Sequence, residues 1–156
     1  MSENPPWKTY DYRVMIREFH LDTFGHVNNA RYFDIFEEAR WDLITQNNYG
    51  LKRVQELKIG PVILECTTQF KRELKLRETI TVRTSVLDYV GKIMRMEQVM
   101  LKSGSDGVEV EACRALFVVG LMDLSLRKLI PPTLDWWIGV GGLPEYFQQT
   151  SPPACR

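Results

Sequence analysis

The stretch "HLDTFGHVNNARY", from His20 to Tyr32, places an acid, a glycine, a histidine and two asparagines directly ahead of a strongly periodic segment. The first turn of a helix carries backbone N–H groups without intrahelical partners at the positive end of the dipole, so it stabilises an oxyanion forming on a carbonyl held there. An aspartate a few residues upstream reaches the same carbonyl. Asp22 then either deprotonates an attacking water or attacks the carbonyl itself. A thioester suits so spare a site, because sulfur conjugates weakly with the carbonyl and a thiolate leaves without much acid assistance.

The same residues have plainer roles. An aspartate followed by glycine in a loop is commonly an Asx turn or a cap. A loop histidine such as His26 is commonly a hydrogen-bonded structural residue. The stripe of Tyr32, Phe33 and Phe36 is core packing by default, with one edge available to line an acyl channel.

The elements that must position these residues follow from periodicity. From about Tyr10 to Glu18, Tyr10, Tyr12, Val14 and Ile16 alternate with Asp11, Arg13 and Arg17, the period of a half-buried strand. From about Asn29 to Asn47, apolar residues recur at three- and four-residue steps, which predicts one long amphipathic helix. Asn28 or Asn29 caps its start, and the asparagines of "NNYG" with Gly50 close it. A short helix is expected around Leu51 to Leu57. Extended segments follow at Gly60 to Arg72, Glu78 to Val90, Lys92 to Lys102 and Val108 to Leu121, the last two joined by the "SGSDG" turn. Strand, long helix, then four strands in a meander is an α+β order, with an antiparallel sheet packed on one helix. A single sheet on a single helix leaves exposed edges, which dimerisation would cover.

Composition narrows the function classes. The 156 residues suit one domain, with a core from about residue 10 to 136 and a C-terminal extension over 137–156. Twenty basic residues balance twenty acidic ones, so net charge asks for neither nucleic acid nor an anionic membrane as partner. No apolar run is long enough to span a bilayer, and "MSENPPWK" lacks the pattern of a secretory signal, so a cytoplasmic protein is expected. Cys66, Cys113 and Cys155 are an odd, widely spaced set, read as reduced thiols. The only histidines are His20 and His26, and neither G-x-S-x-G nor a P-loop is present, which argues against a serine-triad hydrolase. His20, Asp22 and His26 lack the spacing and the fourth ligand of a metal site, so no metal is expected. "GVGGLP" at Gly139 to Pro144 follows no strand, unlike a dinucleotide fingerprint.

At "LDTFGHVNNARYFDIFEEAR" the sequence resembles the D-x-x-G-H-V-N-N-A-x-Y helix-start motif of hotdog-fold acyl-CoA thioesterases, in the branch with 4-hydroxybenzoyl-CoA thioesterase and the bacterial long-chain acyl-CoA thioesterases. The resemblance continues through "GPVILECTTQFKRELKLRETITV", "VGKIMRMEQVM" and "LRKLIPPTL", covering about Tyr10 to Trp136. It implies a five-stranded antiparallel sheet wrapped around the long helix, paired into a homodimer or doubled into a homotetramer, with active sites at the dimer interface. Asp22 matches the catalytic aspartate, and the amides near Asn28, Asn29 and Ala30 match the helix start that polarises the thioester carbonyl. His26 and Asn28 match motif positions whose individual roles stay open. For the phosphates of coenzyme A the matching basic residues are Lys71 and Arg72, Lys92, and Arg127 and Lys128. Lysines and arginines at strand ends otherwise serve as solvated edge protectors.

The His-Val-Asn-Asn form of the motif is closer to the fatty-acyl members than to the aryl-specific ones, which favours medium or long acyl chains. Trp136, Trp137 and the segment to Phe147 have no family counterpart and are expected to cap the sheet or form a lid. The expected activity is hydrolysis of an acyl-CoA to free acid and coenzyme A, with no cofactor. Action on an acyl carrier protein, and a non-catalytic module that binds acyl thioesters, are the alternatives. A hotdog dehydratase would need a catalytic histidine motif that this sequence does not carry.

Overall fold

The alternating and three-to-four-residue patterns resolve into a single antiparallel sheet with one long helix against it. The structure, a computed structural model, describes residues 8–131 and 136–137. Strand β1 (Tyr10–Met15) leads through a short 3-10 turn at Glu18–His20 to helix α1 (Asn29–Gln46) and helix α2 (Leu51–Leu57). Strands β2 (Ile59–Phe70), β3 (Thr79–Val90), β4 (Ile93–Ser103) and β5 (Glu109–Asp123) follow, then a short β6 (Lys128–Ile130).

Asn48 closes α1 with φ of 67°, the left-handed conformation expected of the "NNYG" asparagines. Gly50 does a different job. It is extended and precedes α2, and a Cβ there would come 3.2 Å from the Thr45 hydroxyl, so a larger residue would have to press the Thr45 side chain aside by a few tenths of an ångström.

The spatial order is β1-β3-β4-β5-β2, with β6 also on β5. Only β3, β4 and β5 form a meander. The expected run of four fails at β2, which crosses to the far edge and pairs with β5, Cys66 opposite Phe117 and Phe70 opposite Cys113. Sequence adjacency favours neighbours in a sheet but does not dictate them. The sixth strand was not expected. It is only three residues long, and it pairs with Leu121–Asp123 just past Gly120, the last β5 residue paired with β4.

The inward face of the sheet supplies Val82 and Val86 from β3, Met94, Met96 and Met100 from β4, and Cys113 and Phe117 from β5. Against these lie Tyr32, Ile35, Phe36, Ala39, Leu43 and Ile44 of α1. Phe36 meets Phe117 edge to face at 5.7 Å. Each large side chain buried this way contributes roughly 1.5–3 kcal/mol.

Two buried polar residues, Gln98 and Thr84, sit in that face. Gln98 is fully buried, and its amide nitrogen donates to the Phe36 carbonyl at 3.1 Å and to the Thr84 hydroxyl at 3.0 Å. These bonds fix how far α1 stands above the sheet, because a buried amide left unpaired costs about 1–3 kcal/mol. Trp137 is buried and meets Tyr49 edge to face at 5.4 Å, so Trp136 and Trp137 pack against the α1–α2 turn rather than standing free. The rest of the C-terminal extension and Cys155 lie outside the described residues. Cys66 and Cys113 are free thiols.

Candidate active site

The His20–Tyr32 stretch folds as a miniature hairpin that delivers the chain into α1. Leu21 and Val27 form an antiparallel bridge, and the Asp22 amide donates to the His26 carbonyl at 2.9 Å. The tip turns at Gly25, whose φ of 84° is the left-handed conformation that glycine adopts without penalty. The hairpin is docked from outside: Val27 donates to the Leu74 carbonyl at 2.9 Å, and His26 bridges to Lys75 in the β2–β3 connection.

Within this frame Asp22 divides its two oxygens. Oδ1 accepts from the Phe24 amide at 2.8 Å, which is the Asx turn that the residue types alone suggest. Oδ2 lies 3.7 Å from His26 Nδ1, too far for a hydrogen bond. The turn therefore holds the carboxylate still and leaves one oxygen available. His26 stands between two acids, its Nε2 4.0 Å from Glu73 Oε2.

The helix start has one free donor. Asn28 is the cap, its side-chain oxygen accepting from Ala30 N at 2.9 Å, while its own amide donates to the His20 carbonyl at 2.9 Å. Arg31 N donates to the Asn28 carbonyl. Of the amides at Asn28, Asn29 and Ala30, only that of Asn29 has no acceptor among the described residues. Replacing Asn28 with alanine is expected to cost about 1 kcal/mol of stability in a denaturant titration, the usual worth of an N-cap.

His20 fastens this corner from below. It is buried, and its Nδ1 accepts from the Arg17 amide at 2.9 Å. Burial lowers its pKa from the ordinary 6.5 and keeps the ring neutral, so it holds the corner without adding charge.

A groove of about 250 Å³ opens here, lined by His26, Asn29, Tyr32, Phe70, Lys71 and Arg72 among others. Tyr32 meets Phe70 edge to face at 5.0 Å and so ties the helix start to the end of β2. Burial pushes its phenol up to about 12, so it is neutral at any physiological pH. Lys71 and Arg72 reach the groove but are already engaged. Lys71 Nζ lies 2.6 Å from Glu111 Oε1, and Arg72 Nη1 donates to the Glu111 carbonyl at 2.7 Å.

Glu111 also takes a two-pronged contact from Arg114, at 2.9 and 2.7 Å. Arg114 first, then Lys71, holds the Glu111 carboxyl down to about 2 from an ordinary 4.5. A carboxyl whose pKa is depressed on folding stabilises the fold above its unfolded pKa and loses that contribution as pH falls through the folded value. Thermal stability should therefore fall between about pH 4.5 and about pH 2, and a Glu111→Gln variant should show a flatter melting-temperature profile across that window.

The remaining basic candidates are elsewhere in the chain. Lys92 follows Gly91 in the β3–β4 turn, Arg127 occupies the turn before β6, and Lys128 begins β6. The groove is at the Cys113 end of β5 and these three are at the Gly120 to Asp123 end, roughly 23 Å along the strand. One chain does not bring the two basic groups together.

Position 40 escaped the sequence reading. Arg40 lies four residues after Phe36, on the buried stripe of α1, so the helical period itself carried the signal. Among the described residues no cluster of His, Cys, Asp and Glu is arranged to hold a metal ion, and no helix is long and apolar enough to cross a membrane.

Comparison with known proteins supplies the family. A family model described as the thioesterase-like superfamily matches residues 17–138. The chain is 28% identical over 118 residues to the long-chain acyl-CoA thioesterase FadM of Escherichia coli strain K12, covering 76% of this chain and 86% of that protein. A Staphylococcus aureus protein solved in complex with CoA superposes with a TM-score of 0.75 at 18% identity, over 98% of this chain and 94% of that one. A 4-hydroxybenzoyl-CoA thioesterase variant solved with 4-hydroxybenzoyl-CoA superposes with a TM-score of 0.74 at 17% identity, over 86% and 99% of the two chains. The last two likenesses establish the shared hotdog fold.

Proposed function

Because this chain belongs to the thioesterase-like superfamily and is a thioester hydrolase, we propose that it cleaves a medium- or long-chain fatty acyl-CoA to the free acid and coenzyme A at the Asp22 loop. The observation that carries this reading is that the same docked hairpin presents one available carboxylate oxygen on Asp22 and one helix-start amide, that of Asn29, with no acceptor among the described residues. The likeness to FadM supports the substrate class.

In this mechanism the acyl carbonyl accepts a hydrogen bond from the Asn29 amide. As a general base, Asp22 takes a proton from water while the water oxygen bonds to the carbonyl carbon, and the negative charge on the former carbonyl oxygen is held by that amide and the helix dipole. Collapse breaks the carbon–sulfur bond, and the thiolate of coenzyme A leaves and takes up a proton. As a nucleophile, Asp22 would form an acyl anhydride that water then opens. A single turnover in heavy-oxygen water that gives unlabelled product acid and labels the Asp22 carboxyl identifies direct attack with water opening the anhydride at the Asp22 carboxyl carbon, since the general-base route always puts solvent oxygen into the acid. His26 and Asn28 shape the loop in either route.

The dimer follows from the edges. Strand β2 is twelve residues long, has among the described residues a neighbour on one side only, and exposes Ile63, Leu64 and Phe70. Pairing β2 antiparallel with β2 of a second copy would join the sheets and place the partner's Lys92, Arg127 and Lys128 end beside this chain's groove, uniting the two basic groups around the phosphates of coenzyme A. Sedimentation should report a dimer or a multiple of it, and Ile63→Asp should shift it toward monomer. A wild-type monomer would contradict the arrangement.

The function itself is tested by thiol release from a panel of acyl-CoAs, acetyl to palmitoyl plus benzoyl, beside palmitoyl-loaded carrier protein. Turnover rising with chain length on the CoA substrates supports the reading. Turnover on the carrier alone, or tight binding without thiol release, overturns it.

A further inference from the structure

A second cavity lies at the other end of the seam between α1 and β2, and it holds a charge with no ion-pair partner among the described residues. Its volume is about 180 Å³, and its walls include Leu43 and Ile44 of α1, Pro61 and Ile63 of β2, Met96 of β4, and Trp137. Into this apolar space faces Arg40.

The guanidinium is held rather than satisfied. Its Nη1 donates to Gln98 Oε1 at 2.7 Å, and its central carbon stands 4.4 Å over the Phe117 ring. Gln98 cannot turn away, because its nitrogen is committed to Phe36 and Thr84. A guanidinium offers five donors, and among the described residues one is used. No carboxylate forms an ion pair with it there. Glu37, at the same cavity, instead accepts from the Trp41 indole at 3.4 Å. Burial is the largest influence on Arg40 and lowers its pKa, with Glu37 and then Cys66 acting in the opposite direction.

A fixed cation in an apolar cavity is a recognition element, because its unused donors gain most from an acceptor that arrives already desolvated. Its position relates it to the reaction. Arg40 is eleven residues along α1 from Asn29, roughly 16 Å by helical rise, about the span of an extended chain of roughly a dozen carbons. Both cavities lie between α1 and β2, with Tyr32 and Phe70 at one end and Pro61 and Ile63 at the other.

We propose that Arg40 binds a carboxylate at the far end of the acyl group, so that among medium- and long-chain acyl thioesters this enzyme prefers those whose chain carries an ω-carboxyl group. The proposal rests on the reading of the Asp22 loop as the site of acyl thioester cleavage. A plain alkyl end at this place would cover the guanidinium without giving it an acceptor, which costs binding energy. A carboxylate accepts from two of its nitrogens at once.

The test compares the mono-CoA thioester of dodecanedioate with dodecanoyl-CoA. Wild type should favour the ω-carboxyl substrate by tenfold or more in kcat/KM. In Arg40→Met, which keeps an unbranched side chain and removes the charge, the ratio should fall to one or below, with Arg40→Lys between. Equal rates in wild type, a preference for dodecanoyl-CoA, or a ratio that survives in Arg40→Met would overturn the proposal.

If neither thioester is cleaved, the hydrolase reading of the Asp22 loop fails, and calorimetry with the free acids still judges Arg40. Dodecanedioate binding tighter than dodecanoate in wild type but not in Arg40→Met supports the site. Equal or absent binding overturns it.

Discussion

Asp22→Asn is expected to lower kcat for thiol release by about a hundredfold or more, the usual loss when a general base or nucleophile is removed. The substitution isolates charge from shape. An asparagine oxygen still accepts from the Phe24 amide, so the Asx turn that holds the loop survives and the melting temperature should stay close to wild type. A structural role for Asp22 predicts the reverse, with activity preserved as long as the turn is. Thiol release under single-turnover conditions, read beside a thermal melt, distinguishes the two, and a variant within tenfold of wild type would remove Asp22 from the chemistry.

The second large effect is on stability. Phe36→Ala should destabilise the fold by about 3–5 kcal/mol in a urea titration, the range for deleting a buried aromatic ring. Phe36 is fully buried, packs edge to face on Phe117 and lies at the centre of the α1 face, where the sheet cannot collapse into the space left. Its carbonyl also accepts from Gln98, so a shift of α1 would strain the Arg40–Gln98–Thr84 chain as well. A loss below about 1 kcal/mol would mean that α1 is not seated as described.

Local patterns reveal local facts. The alternation in β1, the stripe in α1 and the short α2 were legible because each is a period visible within one segment. The crossing of β2 to the far edge was not, since nothing within β2 states which strand it will pair with, and β6 was too short to leave a period. The candidate site divides the same way. Asp22, Gly25, His26 and the two asparagines are neighbours in sequence and form one hairpin, so their spacing pointed to one place. That Asn29, not Asn28 or Ala30, keeps an amide without an acceptor among the described residues depends on cap geometry that the residue types leave open between the two asparagines.

The basic residues were the hardest to place, because charge at a strand end looks alike whether it meets phosphate or a neighbouring carboxylate. Glu111 occupies both Lys71 and Arg72 through a contact thirty-nine residues away in the second case, beyond any local pattern. Lys92, Arg127 and Lys128 belong to the opposite end of the sheet, which only the register of β4 and β6 on β5 reveals. Arg40 was visible in principle. A charged residue on an apolar stripe is either paired or functional.

The central claim is that the reacting carbonyl sits between the Asp22 carboxylate and the Asn29 amide. The most direct measurement is the amide proton resonance of Asn29 during titration with a non-hydrolysable acyl-CoA analogue in which a methylene replaces the thioester sulfur. The account predicts a downfield shift at Asn29 larger than at Asn28 or Ala30, whose amides are already bonded within the protein, and a weaker one when the ketone oxygen of the analogue is removed. An Asn29 amide that does not respond, while resonances elsewhere in the chain do, would place the carbonyl at another site and contradict the account.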